Sequence, residues 1–114
     1  MSAGRETTFK DRVLKELNAI PHCKAVKIDQ RSKVGEADVV GCFRGHFFAF
    51  ELKRSMYEEP EPIQIHVLRA WRHAQGIALV AFPENWAAVL EELKRRCLGK
   101  IPSSGGGAPL GDGS

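Results

Sequence analysis

Glu51 and Lys53 stand two residues apart at the end of an apolar run, in the stretch Phe47–Ser55, FFAFELKRS. Burying an unpaired charge is expensive, so a carboxylate and an ammonium at that place are either solvated or employed. Strand side chains repeat every two residues. Glu51 and Lys53 therefore share one face, while Phe48, Phe50 and Leu52 turn into the core. Gly35-Glu36-Ala37-Asp38 opens the preceding strand, and Arg44-Gly45 reads as a two-residue hairpin turn. Counting outward from that turn sets Asp38 across from about Glu51. Glu6 lies three residues before Phe9 and seven before Val13, at the first turn of a helical apolar stripe. Three carboxylates and a lysine could then converge. Adjacent carboxylates repel unless a cation sits between them. An all-oxygen set suits Mg²⁺ or Mn²⁺, which keep several waters and bind substrate phosphate. A lysine beside them can orient or stabilise a metal-activated hydroxide, and such parts together perform phosphodiester hydrolysis.

The elements that must position these residues follow from periodicity. Glu6 to about Ile20 reads as a helix, with Phe9, Val13, Leu17 and Ile20 on one stripe, Leu14 beside them, and Pro21 as the stop. Ala25–Arg31 alternates weakly, with Val26 and Ile28 on one face, and reads as a first strand; Arg31 to Gly35 is a basic turn. Ala37–Phe43 and His46–Lys53 are the two strands of the hairpin. Met56–Pro62 is an acidic loop with two prolines. A helix follows from Pro62, with a stripe of Ile63, Val67, Ala70, Trp71 and Ala74, ended by Gly76. Ile77–Phe82 is a continuous apolar run, as expected for a strand buried on both faces and parallel to another. Asn85–Leu98 is the last helix, with Trp86, Val89, Leu90, Leu93 and Cys97 inward and Gly99 as C-cap. The order is α-β-β-β-α-β-α, an α/β fold.

Composition bounds the rest. The chain has 114 residues, enough for one core without metal or disulfide staples. We expect a single domain over 1–99 and a disordered Gly/Ser/Pro-rich tail over 100–114, which has too little apolar surface to offset its ordering entropy. No apolar run is long enough to span a bilayer, and MSAGRETTFKDR does not read as a signal peptide. The three cysteines, Cys23, Cys42 and Cys97, are dispersed and contain no CxxC pair, which argues against a disulfide framework and for a reducing compartment. The net charge of +3 permits nucleic-acid binding without arguing for it.

Gly35-x-Ala37-Asp38, then Glu51-Leu52-Lys53, then Gln64 on the next helix, resemble the PD-(D/E)XK nuclease motif. Within that superfamily the pattern is most similar to the small VRR-NUC domains, and its layout is similar to that of archaeal Holliday junction resolvases. The resemblance spans Glu6 to Val89. It implies a restriction-endonuclease-like core with a mixed central sheet flanked by helices. It further implies a Mg²⁺-dependent DNA endonuclease in which Mn²⁺ substitutes, selective for branched DNA such as Holliday junctions. A homodimer in the cytoplasm of a bacterial or phage-infected cell belongs to the same expectation. Under the resemblance, Asp38 and Glu51 bind the metal with the Leu52 carbonyl. Lys53 holds and polarises the attacking water. Glu6 completes the metal shell, and Gln64 supports the site or touches phosphate. Ala37 departs from the proline often found there, a change that affects only backbone shape. Glu36, on the Asp38 face, is a competitor for the metal role.

Plainer readings stand beside these. Glu51 and Lys53 taken alone describe a solvated strand end, and it is their company with Asp38, Glu6 and Gln64 that favours a site. Glu6 also suits the helix dipole. Arg31, Lys33, Arg44 and Arg54, in turns or at strand ends, and Arg69 with His66 on the second helix, are candidates for DNA phosphate; solubilising charge explains them too. The four histidines show no ligand spacing, and Trp71 and Trp86 fit core positions. Two other function classes fit the same residues: a general, repair or restriction-type nuclease on duplex or single-stranded DNA, and a non-catalytic nucleic-acid-binding module.

Overall fold

The structure, a computed structural model, describes residues 8–29 and 35–98. Three helices and four strands follow one another as α1 (Phe9–Asn18), β1 (Cys23–Lys27), β2 (Val39–Phe43), β3 (His46–Leu52), α2 (Pro62–His73), β4 (Ile77–Ala81) and α3 (Trp86–Leu98). The expected α/β order holds, with one mixed sheet of strand order β1-β2-β3-β4. The expectations for Glu6, for the basic turn with Arg31 and Lys33, for the Gly99 cap and for the 100–114 tail lie outside the described residues.

Helix α1 begins at Phe9 because Thr8 caps it, its hydroxyl accepting the Asp11 N–H at 3.1 Å. Val13 and Leu17 are buried, with Phe9, Leu14 and Ile20 packed beside them. At the helix end the Asn18 amide acts as a substitute strand: its Oδ1 accepts the Ala25 N–H at 2.8 Å and its Nδ2 donates to the Ala25 carbonyl at 3.0 Å. This bridge places β1 two residues earlier than its weak alternation suggests and inverts its phase. Ala25 is buried, whereas Val26 is 45% exposed. The small Ala25 lets α1 lie close on β1, while Val26 falls on the opposite face, at the far end of the sheet from β3 and β4, on which α2 packs.

The hairpin is as expected. Arg44 and Gly45 take φ of 52° and 88°, the two positive values of a type I′ turn. The register runs from Phe43↔His46 to Val39↔Phe50. Strand β3 is interior and runs parallel to β4, from Phe48↔Ile77 to Leu52↔Ala81. Phe48 and Phe50 enter the main core with Val39, Phe43, Ile77, Ala81 and α3's Trp86, Val89, Leu93 and Cys97. The other face of β3 and β4 carries Ala49, Glu51 and Ala78 and lies under α2, whose Leu68 is buried.

Helix α2 is turned relative to the expected stripe. Gln64, Val67, Leu68 and Trp71 face the sheet; Ile63, Ala70 and Ala74 are exposed. Polar anchors at both ends set this phase. Gln64 reaches Glu51, and Arg72 Nε donates to the Ala78 carbonyl at 2.7 Å. Gln75, with φ of 77°, takes the left-handed position after the helix. Gly76 serves a different purpose: a Cβ there would stand 2.9 Å from the Phe47 ring and 3.2 Å from the Trp71 carbonyl. Strand β4 is an edge strand, with Leu79 and Val80 half-buried rather than enclosed. Its open side is covered by Arg72 on Ala78 and by Asn85 Nδ2 on the Val80 carbonyl. Helix α3 buries the expected stripe, and the Trp86 indole donates to Glu16 of α1 at 2.7 Å. Among the described residues no helix is long and apolar enough to cross a membrane.

Candidate active site

The β2–β3 ladder ends where the site begins. The Asp38 N–H donates to the Phe50 carbonyl at 3.1 Å, so the ladder extends one step and sets Asp38 opposite Glu51, as counted from the turn. At the following ladder position the Asp38 side chain replaces the backbone: its Oδ2 accepts the Leu52 N–H at 2.8 Å. A residue's N–H and C=O point to the same side of an antiparallel strand, so the Leu52 carbonyl also lies on the Asp38 side. The Lys53 N–H turns the other way, to the Ala81 carbonyl at 2.8 Å.

Glu51 is the one buried charged residue among those described, 2% exposed. Its Oε2 accepts from Gln64 Nε2 at 2.6 Å and lies 3.5 Å from Lys53 Nζ. Its Oε1 is buried without a hydrogen-bond partner. Burial first, and then the negative Asp38 beside it, push the Glu51 carboxyl from an ordinary 4.5 up to about 7, against the pull of Lys53. Lys53 Nζ donates to Gln64 Oε1 at 2.9 Å, and the same oxygen accepts the Glu61 backbone N–H at 2.8 Å. A hydrogen-bonded chain thus runs from the start of α2 through Gln64 to both members of the pair at the end of β3.

A cleft of about 340 Å³ meets this cluster at Asp38, Leu52 and Lys53, and is lined further by Arg54 and Glu58 of the following loop, by the cap residue Thr8 and by Phe9 and Lys10 of α1. The donor set fits a hard divalent cation: a carboxylate oxygen buried without a proton donor, beside a second carboxylate, is stabilised by a positive charge placed between them. Among the described residues no group of three or more His, Cys, Asp or Glu side chains is placed to hold a metal. The oxygens there that could hold a cation are therefore those of two carboxylates, Asp38 and Glu51, and, on the strand geometry, the Leu52 carbonyl.

Asp38, Glu51, Leu52, Lys53 and Gln64 come together. Gln64 does so from the face of α2 that lies on the sheet, where it is half-buried. Glu36 does not compete for the cluster, because its Oε1 accepts the Trp71 indole N–H at 3.2 Å and the Ala37 N–H at 3.1 Å. Trp71 itself packs against Phe47, ring centroids 4.6 Å apart and planes tilted by 40°, beneath α2 rather than in the main core. Arg54 borders the cleft with its side chain 93% exposed. Arg44 is not near the site: it sits at the hairpin turn, the length of β3 away, about 20 Å at the usual rise per residue. Arg69 is exposed, roughly 140° around α2 from Gln64. Lys10 is the residue that the sequence reading overlooked. It belongs to α1, a helix distant in sequence from the hairpin, and no spacing rule ties the two together. Comparison of the chain with family models, with curated proteins and with solved structures finds no match.

Proposed function

We propose that this protein is a Mg²⁺-dependent nuclease that hydrolyses phosphodiester bonds in DNA. The observation that carries the reading is the bare, buried Oε1 of Glu51 next to Asp38, with Lys53 and Gln64 bonded into the same cluster. Such an arrangement is costly for a fold to maintain without a cation to complete it. Asp38, Glu51 Oε1 and the Leu52 carbonyl would hold the ion. A divalent cation bound there supplies an acidified water and neutralises charge on the phosphate. Lys53, tethered to Gln64 and open to the cleft, orients the attacking oxygen and offsets its negative charge. Gln64 keeps Lys53 and Glu51 at their stations. Lys10 and Arg54, on two rims of the cleft, suit contacts to the phosphate backbone, which give affinity without reading bases. The restriction-endonuclease-like core, the preference for branched DNA and the pairing of two copies are supported by the motif resemblance. Mn²⁺ serves in place of Mg²⁺ under the same reading.

The test is cleavage of a labelled four-way junction beside linear duplex and single strand, with Mg²⁺, with Mn²⁺ and with chelator, and with Lys53→Ala in parallel. Metal-dependent paired cuts in the junction, lost in the variant, are expected. Equal cutting of all substrates discards the junction preference, and no cutting with either metal discards the nuclease.

A further inference from the structure

The orientation of the Gln64 amide is decided by its neighbours. The Lys53 ammonium and the Glu61 N–H can only donate, so the amide oxygen must face them, at 2.9 and 2.8 Å. The amide nitrogen is thereby committed to Glu51 Oε2, at 2.6 Å. Because Glu61 is the N-cap of α2, this orientation is tied to the helix start and does not depend on Glu51. Lys53 approaches the same Oε2 at 3.5 Å, so both donors lie on one oxygen while Oε1 has none. A carboxylate restrained in this way offers a cation one oxygen. That limit matters differently to different ions. Mg²⁺ is small, demands near-octahedral geometry and is content with single carboxylate oxygens. Ca²⁺ gathers more oxygens in looser geometry and gains from a carboxylate that can bind through both.

We propose that Gln64 is a positioning residue that sets metal selectivity: by occupying Glu51 Oε2 it enforces one-oxygen ligation and favours Mg²⁺ over Ca²⁺. The inference rests on the metal-binding reading above. Removing the Gln64 amide takes away the nearer of the two donors on Oε2 and the acceptor that steadies Lys53, so Oε2 is less held and Glu51 is able to turn both oxygens to the cation.

The experiment is calorimetric titration of Mg²⁺ and of Ca²⁺ into the metal-free full chain, for the unmodified protein, Gln64→Leu and Gln64→Met, with folding checked by circular dichroism. Gln64→Met keeps the length of the side chain under α2, so that one folded variant is secured. The ratio of Ca²⁺ to Mg²⁺ affinity is expected to rise roughly tenfold in both variants, the scale on which groups behind metal ligands act. Lys53→Met, which leaves the shorter Gln64–Glu51 bond in place, is expected to raise the ratio less than either Gln64 variant does. Equal weakening of both ions in the Gln64 variants, or an unchanged ratio, overturns the selectivity role while leaving the metal site standing. An unmodified protein that binds neither ion overturns the metal-binding reading and this inference with it.

Discussion

Glu51 has one oxygen supplied with donors and one without, and that asymmetry has a thermodynamic signature. Its carboxyl, ordinarily at 4.5, is raised to about 7 in the fold by burial and by Asp38. Between those values the folded chain holds a proton that the unfolded chain has lost. Stability is therefore greatest below about pH 4.5 with respect to this group and falls as pH rises through about 7. The loss amounts to about 3 kcal/mol at most. In the absence of divalent ions the thermal midpoint is expected to drop between pH 5 and pH 8, and Glu51→Gln is expected to flatten that dependence. Mg²⁺ is expected to recover the lost stability at pH 8 in the unmodified protein and not in Glu51→Gln. A midpoint insensitive to pH in both proteins would count against the buried, bare carboxylate. Lys53 belongs to the same scale. Under the proposed function Lys53 acts on the attacking oxygen and not as a ligand, so Lys53→Met is expected to lower single-turnover cleavage by about a hundredfold or more while metal binding persists.

At the scale of elements, two side-chain amides do what backbone usually does. Asn18 supplies the missing neighbour for Ala25 at the β1 edge, and Gln64 fastens the start of α2 to the end of β3. Asn18→Ala leaves both the N–H and the carbonyl of Ala25 without their partner, and we expect a loss of about 2 kcal/mol in urea unfolding. Gly76→Ala tests the close seating of α2 on β3. Its Cβ would press on the Phe47 ring and the Trp71 carbonyl, and a cost of about 1–3 kcal/mol is expected. The difference between the expected and observed faces of α2 has its cause here. Hydropathy marks Ile63, Ala70 and Ala74 as inward, but the polar anchors Gln64 and Arg72 turn the helix and leave those three exposed.

At the scale of the whole molecule, both edges of the sheet carry side-chain hydrogen bonds. Asn18 covers the β1 edge at Ala25, and Arg72 and Asn85 cover β4. Edge strands covered in this way resist adding a strand from another copy, so the pairing proposed above would run through other surfaces. Arg72→Ala bares the Ala78 carbonyl and is expected to raise self-association during refolding, measured by light scattering against the unmodified protein. The sheet also divides the labour of the fold. One face, with Phe48 and Phe50, builds the main core against α1 and α3; the other carries Glu51 beneath α2. The site sits where the second face reaches the end of the strands and α1 closes the cleft.

The convergence of Asp38, Glu51 and Lys53 was legible in the sequence because it depends on local rules alone. A two-residue turn at Arg44-Gly45 sets the register, and the two-residue period of a strand puts the charges on one face. The order of elements and the inner stripe of α3 were legible for the same reason, since covalent geometry and short-range periodicity determine them. The phase of α2, the inversion of β1, the burial of Glu51 and the arrival of Lys10 at the cleft were decided only by tertiary structure. Each depends on groups distant in the chain: Gln64 on Glu51, Asn18 on Ala25, α1 on the strand ends. A polar side chain can outweigh a weak hydropathy pattern when it satisfies a buried group, and no count along the chain shows which buried group it will find.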